Sequence, residues 1–197
     1  MTTMLTVIIG PMFSGKTTEL LRRLERYDLA GKKVILVRPQ TDTRLFLSHS
    51  KLEFEGKTID VKELKDLPDL VDGYQVIGID EGQMFPELVP YINQMSLAGK
   101  HVIISALNLT SEGKPFNQVS VAMHYADELT KLTAVCMVCG SEYATMSFYK
   151  GTQAKTAEIL VGGSDLYEAR CMKCWIEGID VSLLEAFERA VETRGIK

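Results

Sequence analysis

Residues 10–17, GPMFSGKT, place two glycines, a lysine and a hydroxyl residue at the spacing G-x-x-x-x-G-K-[ST]. This spacing is typical of a loop whose main-chain N–H groups surround phosphate oxygens. Lys16 would pair with the β and γ phosphates, and the Thr17 hydroxyl would hold Mg²⁺. An ordinary strand–turn–helix is the alternative, but the apolar run 5–9 and the amphipathic segment after the loop favour a nucleoside triphosphate site. The predicted phosphate site comprises Gly10, Pro11, Met12, Phe13, Ser14, Gly15, Lys16 and Thr17.

A second candidate is the acidic pair Asp80 and Glu81, which follows the apolar run 76–79. A carboxylate at a rigid strand end can support Mg²⁺ beside a phosphate loop, and this predicts that role for Asp80. Glu81 could activate water, as in a motor ATPase, or a substrate hydroxyl, as in a small-molecule kinase. A solvated acidic turn is the alternative, and the upstream loop disfavours it. The pair alone leaves the phosphate acceptor open.

The third candidate is a set of two C-x-x-C pairs that contains all four cysteines of the chain. Four thiolates complete a closed tetrahedral zinc site without an open position for catalysis. The 31-residue gap between the pairs exceeds the usual gap of about 15–20 residues. Buried hydrophobic cysteines or a redox dithiol are the alternatives, but an intracellular chain favours structural zinc. The predicted ligands are Cys136, Cys139, Cys171 and Cys174.

Composition limits the classes of partner. The chain has 197 residues, a net charge of −4 and 46% hydrophobic residues, which suits one domain with a small appendage. The acidic balance gives no support to nucleic-acid binding. No signal peptide and no apolar run near the ~20 residues of a membrane span are visible. We therefore expect a cytoplasmic protein that binds neither nucleic acid nor membrane.

Short apolar runs alternate with helical patterns in the first 110 residues, which predicts an α/β fold with a parallel sheet covered on both faces. The predicted strands are 5–9, 34–37, 76–79 and 101–106, and the predicted helices are 17–28 and 86–97. The segment 44–55 has no clean period and is expected to form an irregular connection.

The pattern changes after about residue 130. Cysteine pairs, short β-like pieces and the pair Gly162-Gly163 replace the alternation. A final apolar stripe over Ser182–Val191, with a capping box at its start, predicts a helix. The predicted division is an ATP-binding α/β domain at 1–130, a zinc-binding and nucleoside-lid domain at 131–178, and a helical tail at 179–197.

Six ordered blocks resemble the type II thymidine kinases, the cytosolic, zinc-containing family. The blocks are IIGPMFSGKTTEL, DTR at 42–44, VIGIDEGQMFPE, KPF at 114–116, KLTAVCMVC and VGGSDLYEARCMKC. The resemblance covers residues 4 to 176 and implies a RecA-like P-loop domain with a small β-rich, zinc-ribbon-like domain. It implies transfer of the ATP γ-phosphate to the 5′-hydroxyl of thymidine or deoxyuridine, in pyrimidine deoxynucleoside salvage for DNA synthesis. It also implies a homotetramer.

The resemblance carries roles onto individual positions. It makes Glu81 the catalytic base, and it places Asp42 with Thr17 and Asp80 near Mg²⁺ and Arg44 near the phosphates. It implies that the loop leading into the second cysteine pair closes over the nucleoside and reads the base with main-chain groups, because glycines there let main chain approach closely. The implied nucleoside site comprises Met84, Phe85, Leu107, Phe116, Leu160, Val161, Gly162, Gly163 and Tyr167.

Three positions depart from the family pattern. Met84 stands where DEGQFF has its first aromatic, and Leu109 and Ser111 replace a glycine and an aromatic of LDGTFQRKPF. Aromatic–base stacking is worth ~1–3 kcal/mol in single-strand nucleic-acid sites, so we expect nucleoside binding weaker by about tenfold or more. Thymidine should remain a substrate, because recognition by the main chain of 160–163 does not depend on these side chains.

Two other functions remain open to the same residues. A RecA-like ATPase would use the phosphate loop and acidic pair for hydrolysis, although the acidic charge disfavours a nucleic-acid motor. A degenerate kinase-like subunit would bind ligand and regulate a partner, but the intact Lys16, Thr17, Asp80 and Glu81 argue against it.

Overall fold

The computed structural model of the protein describes residues 3–41, 54–67, 69–151 and 165–179. The predicted tail helix Ser182–Val191 lies outside these residues, as does most of the connection 44–55. No helix within the described ranges is both long enough and apolar enough to cross a membrane.

The centre of the fold is a six-stranded sheet in which every neighbouring pair is parallel, in the order β3-β2-β4-β5-β1-β6. Its strands are β1 (Leu5–Gly10), β2 (Val34–Pro39), β3 (Lys57–Val61), β4 (Val76–Ile79), β5 (His101–Leu107) and β6 (Glu128–Lys131). Because the strands are parallel, the segments that follow β1, β4 and β5 emerge at one edge. Gly10 lies beside Leu107 in the register of β1 and β5.

Helices cover both faces of this sheet, which confirms the predicted α/β class. The helices are α1 (Lys16–Leu29), α2 (Leu88–Leu97) and α3 (Asn117–Tyr125). In β1, Ile8 packs in the cluster formed with α1, whereas Val7 and Ile9 pack in the cluster that contains α2 and α3. A methyl group at Gly78 would lie 2.6 Å from a methyl carbon of Leu24, so glycine in β4 lets α1 pack closely.

Within the sheet and its covering helices, three elements were not anticipated, namely β3, β6 and α3. Both strands lie at the edges of the sheet, where each pairs with one neighbour among the described strands. Only Val61 is buried in β3, and no residue of β6 is buried. Edge strands with exposed polar side chains lack the continuous apolar run that marks a central strand, so periodicity could not find them.

A small second unit follows the sheet, and we call it the cysteine module (residues 132–151 and 165–179). It contains an antiparallel pair, β7 (Met146–Tyr149) with β8 (Tyr167–Arg170), and the short helix α4 (Met172–Gly178). Ala134 and Ala144 form an additional antiparallel bridge. This module carries both C-x-x-C pairs, in agreement with the predicted small β-rich region.

Candidate active site

Two glycines permit the turn between β1 and α1. A methyl group at Gly10 would lie 2.5 Å from Ser14 Oγ and 2.8 Å from the main-chain oxygen of Leu132. Gly15 has φ +80°, a left-handed conformation that side chains rarely adopt, and α1 begins at the next residue. The positive end of α1 therefore lies at this turn, an arrangement that favours binding of an anion.

The side chains of the loop fold over its own main chain. Lys16 Nζ donates a hydrogen bond to the Pro11 carbonyl at 2.7 Å, and Ser14 Oγ donates to the same oxygen at 2.8 Å. Lys16 is buried, so its ammonium group is held within the loop rather than in solvent. This position brings a positive charge to the predicted phosphate site.

Asp80 lies directly after β4, only 1% exposed, and faces the phosphate loop. Thr17 Oγ1 lies 3.1 Å from both carboxylate oxygens of Asp80. The main-chain N–H of Glu81 donates to Asp80 Oδ1 at 3.1 Å, and the Ser105 hydroxyl donates to the same oxygen. The structure thus brings together Thr17 and Asp80, the two described residues predicted to support Mg²⁺.

Ser105 was missed by the sequence analysis. It lies inside the apolar run of β5 and is buried. A lone serine within a buried strand was the available signal, because a buried hydroxyl needs a hydrogen-bond partner. Nothing in the local pattern identified Asp80 as that partner.

Glu81 adopts a left-handed main-chain conformation, with φ 52° and ψ 45°. Such a conformation is strained for a residue other than glycine and occurs often at functional sites. The Gln83 amide donates to Glu81 Oε2 at 2.6 Å, and Gln83 Oε1 accepts from the Leu107 main-chain N–H at 2.9 Å. The carboxylate is therefore fixed in direction at the sheet edge, beside Asp80.

The residues expected at the nucleoside differ in their burial. Phe85 is 1% exposed and packs in the main core, whereas Met84 before it stays partly exposed. Leu107 is half-buried at the end of β5. Phe116 is buried directly before α3. Phe85 and Phe116 belong to the same core cluster, and Leu107 packs against it.

Tyr167 belongs to the cysteine module. It is buried in β8, and its ring lies 5.5 Å from that of Tyr149. Burial raises the pKa of Tyr167, and Tyr149 and Glu112 add to the effect electrostatically. Glu112 belongs to the segment after β5, so this electrostatic interaction links Tyr167 to that segment.

The cysteine cluster has the geometry of a zinc site. The four sulfur atoms lie within 4.8 Å of one another, and the sulfurs of Cys139 and Cys171 are 3.8 Å apart. A tetrahedron with Zn–S bonds of about 2.3 Å has sulfur–sulfur distances of about 3.8 Å. None of the four forms a disulfide. The residues therefore fit the metal.

The electrostatics of the cysteine cluster also favour a bound metal. Burial raises the pKa of the Cys136 thiol, but main-chain hydrogen bonds from Cys171, Cys139 and Val138 outweigh burial and lower that pKa to about 6. Burial, with hydrogen bonds to the other thiols, raises the pKa of Cys174 to about 12. Neighbouring thiols cannot all ionise without a compensating cation, and a divalent metal would supply it.

The cysteine module also contacts the phosphate loop. The Met12 N–H was expected to face phosphate, but it donates to Ser147 Oγ at 3.0 Å. Phe13 packs against the buried cluster that contains Cys136 and Cys174. Ser147 is a further residue that sequence reasoning missed, since its partner lies 135 positions away.

Several predicted site residues lie outside the described part of the chain. They are Asp42, Arg44, Leu160, Val161, Gly162 and Gly163.

Comparisons with known proteins identify the family of the chain. The family model for thymidine kinase matches residues 3–175. Thymidine kinase of Variola virus is 41% identical over 174 residues, which cover 87% of this chain and 96% of the viral protein. Thymidine kinase of Vaccinia virus strain Western Reserve is 40% identical with the same coverage. That of Raccoon poxvirus is 42% identical over 173 residues, covering 86% and 95% of the two chains.

Among solved structures, the flagellar accessory protein FlaH of Methanocaldococcus jannaschii superposes with a TM-score of 0.51 at 18% identity. The match covers 70% of this chain and 74% of FlaH. This likeness concerns the fold alone, and it confirms the RecA-like architecture. On the sequence matches, the chain belongs to the thymidine kinase family.

Proposed function

We propose that the chain transfers the γ-phosphate of ATP to the 5′-hydroxyl of thymidine or deoxyuridine. The observation that carries the proposal is the junction of the phosphate loop with β4. There the Thr17 hydroxyl lies 3.1 Å from both carboxylate oxygens of Asp80. Glu81 follows Asp80 directly in the chain. Membership of the thymidine kinase family and viral relatives of that name support the choice of nucleoside.

The phosphate end of the site works by positioning and charge. Thr17 and Asp80, with Asp42, would hold Mg²⁺, and bound Mg²⁺ offsets the negative charge that develops during phosphoryl transfer. Lys16 would move from the Pro11 carbonyl to the β and γ phosphates. Arg44 would add a second positive charge at the phosphates.

Glu81 would accept the proton of the 5′-hydroxyl as that oxygen attacks the γ-phosphate. Its strained main chain and its hydrogen bond from Gln83 keep the carboxylate in one direction. A base fixed in this way loses little entropy when the nucleoside binds.

The base would lie between two walls. One contains Met84, Leu107 and, in support, Phe85 and Phe116. The other belongs to the cysteine module and its preceding segment, with Tyr167 and the main chain of Leu160, Val161, Gly162 and Gly163. Structural Zn²⁺ at the four cysteines would fix the ends of that segment, because the pairs flank it in the chain.

A substrate panel tests the proposal. With ATP and Mg²⁺, we expect ADP release to depend on thymidine or deoxyuridine and the product to be the 5′-monophosphate. ADP release that needs no nucleoside, or that needs DNA, would instead favour the ATPase alternative. A preference for purine nucleosides would contradict the proposed base pocket.

The Glu81→Gln variant tests the base. Removal of a general base costs roughly 10²–10⁴-fold in turnover, so we expect kcat to fall by that factor with ATP binding retained. Glu25→Gln, which changes an exposed carboxylate on α1, is the control and should behave as wild type. Retention by Glu81→Gln of more than about a tenth of wild-type kcat contradicts the assignment.

The wider expectations belong to the same proposal. We propose a cytoplasmic homotetramer that acts in pyrimidine deoxynucleoside salvage for DNA synthesis, as the resemblance implies. We also propose a division into units at 1–130, 131–178 and 179–197. Light scattering on the purified chain tests the tetramer.

A further inference from the structure

Trp175 connects the cysteine module to the segment that follows β5. It is the only tryptophan of the chain, lies in α4 directly after Cys174, and is 8% exposed. Its indole N–H donates to the main-chain carbonyl of Ser111 at 3.1 Å. Its main-chain N–H donates to the Cys171 carbonyl at 2.9 Å. The same residue therefore contacts the cysteine cluster and the 107–116 segment.

The indole ring also packs on Gly113. A methyl group at Gly113 would lie 3.0 Å from Cη2 and 3.3 Å from Cζ2 of Trp175. Gly113 has φ +77°, which glycine adopts without strain. The turn and the ring thus fit each other only because position 113 has no side chain.

The 107–116 segment is compact. Leu109 and Pro115 form an antiparallel bridge. Thr110 N–H donates to the Lys114 carbonyl at 2.8 Å, and Gly113 N–H donates to the Thr110 carbonyl at 3.0 Å. A contact at its tip therefore fixes the whole segment relative to Leu107, where it begins.

We propose that Trp175 is a positioning residue for nucleoside binding: it holds the 107–116 segment against the cysteine module and sets the affinity for the nucleoside. This inference rests on the proposed function, which makes the segment one wall of the nucleoside site. Trp175 thereby supplies, from another element, the aromatic packing that position 111 lacks. Ser111 accepts from the indole through its carbonyl, while its hydroxyl donates to Glu112 at 2.9 Å.

The same geometry links the metal to the nucleoside. Cys171 and Cys174 lie at the start of the helix that carries Trp175. A metal held by these cysteines would fix the helix, and the helix would fix the indole. Loss of the metal should therefore release the 107–116 segment as well as the cysteine module.

Kinetics of two variants test the role. Trp175→Phe keeps a ring but loses the N–H donor, and Trp175→Leu loses both. One hydrogen bond is worth about 0.5–1.5 kcal/mol, so we expect the nucleoside KM of Trp175→Phe to rise about two- to tenfold, and that of Trp175→Leu to rise further. The KM for ATP should not change. Tyr143→Phe, which removes the hydroxyl of an exposed aromatic of the same module, should match wild type. Unchanged nucleoside KM in folded Trp175→Phe overturns the proposal.

Fluorescence excited selectively at the indole provides a readout that does not depend on catalysis, because Trp175 is the only tryptophan of the chain. We expect acrylamide quenching to fall when thymidine binds and to rise when a chelator removes the metal. Gly113→Ala should raise quenching with the metal retained, because the added methyl displaces the ring. Quenching that is indifferent to thymidine, chelator and Gly113→Ala overturns the proposal. A chain that lacks thymidine kinase activity but shows the chelator and Gly113→Ala effects would contradict the proposed function while supporting the contact.

Discussion

The Gln83 amide donates a 2.6 Å hydrogen bond to the carboxylate of Glu81. The other end of the same amide accepts from the main-chain N–H of Leu107, 24 residues further along the chain. Gln83 is buried. The proposed base is therefore attached through one amide to the end of β5, where the proposed nucleoside wall begins.

Gln83→Leu should lower kcat about tenfold with little change in the KM for ATP, because it preserves volume but removes the group that orients Glu81. It should also destabilise the fold by about 1–3 kcal/mol, since the Leu107 N–H loses its acceptor. Gln118→Leu is a matched control, because Gln118 accepts from the Val89 N–H at 2.9 Å. The control should lose stability but keep kcat. Equal kcat values in the two variants would show that Gln83 is merely structural.

Cys139→Ser should remove bound zinc and lower the melting temperature. Four thiolates form a closed site, and replacing one breaks the tetrahedron. Elemental analysis of freshly purified wild type should give one zinc per chain. Met137→Ser changes an exposed side chain between two of the cysteines and should retain the metal. Wild type that is active with substoichiometric zinc would contradict this prediction.

Tyr91→Phe should stabilise the protein by about 1 kcal/mol, because an unpaired buried hydroxyl is costly. Tyr91 is 3% exposed, and its hydroxyl has no hydrogen-bond partner among the residues that the structure describes. Burial also raises the pKa of Tyr91. Urea unfolding should show a higher midpoint with an unchanged slope. Tyr125→Phe, at an exposed tyrosine, is the control, and a lower midpoint for Tyr91→Phe would refute the expectation.

Stability should fall as pH drops from 7 toward 5, and His101 should contribute to that fall. Burial lowers the pKa of His101 below its usual value, although Asp127 and Glu128 partly oppose this. The unfolded chain takes up the His101 proton near pH ~6.5, whereas the folded chain does so only at lower pH. The unfolded state therefore binds more protons between these two pKa values, and the free energy of unfolding declines there.

His101→Gln should reduce this pH dependence. His101 Nε2 lies 3.2 Å from the Tyr27 hydroxyl, and the rings are 4.8 Å apart, so glutamine keeps a polar partner there but cannot titrate. Identical slopes for wild type and His101→Gln between pH 5 and 7 would exclude His101 as a cause.

The amino-acid sequence determined the parts of this protein that depend on neighbouring residues. The phosphate loop needs glycines, a lysine and a hydroxyl within eight positions, and each C-x-x-C pair lies within one turn. Strands buried on both faces are continuously apolar, so β1, β2, β4 and β5 were visible as runs. Local spacing carries this information, because the main-chain geometry of a turn or a buried strand is set within a few residues.

Only the tertiary structure decided which distant groups meet. The hydroxyl of Ser105 reaches Asp80 over 25 residues, the indole of Trp175 reaches Ser111 over 64, and Ser147 reaches Met12 over 135. A serine or tryptophan in a sequence shows a donor without showing its acceptor. The pairing follows from the order of strands in the sheet and from the packing of the cysteine module, both of which are set by burial of apolar surface across the whole chain. The edge strands β3 and β6 also depend on the tertiary structure. Pairing with a central strand makes them strands, and their own polar residues do not.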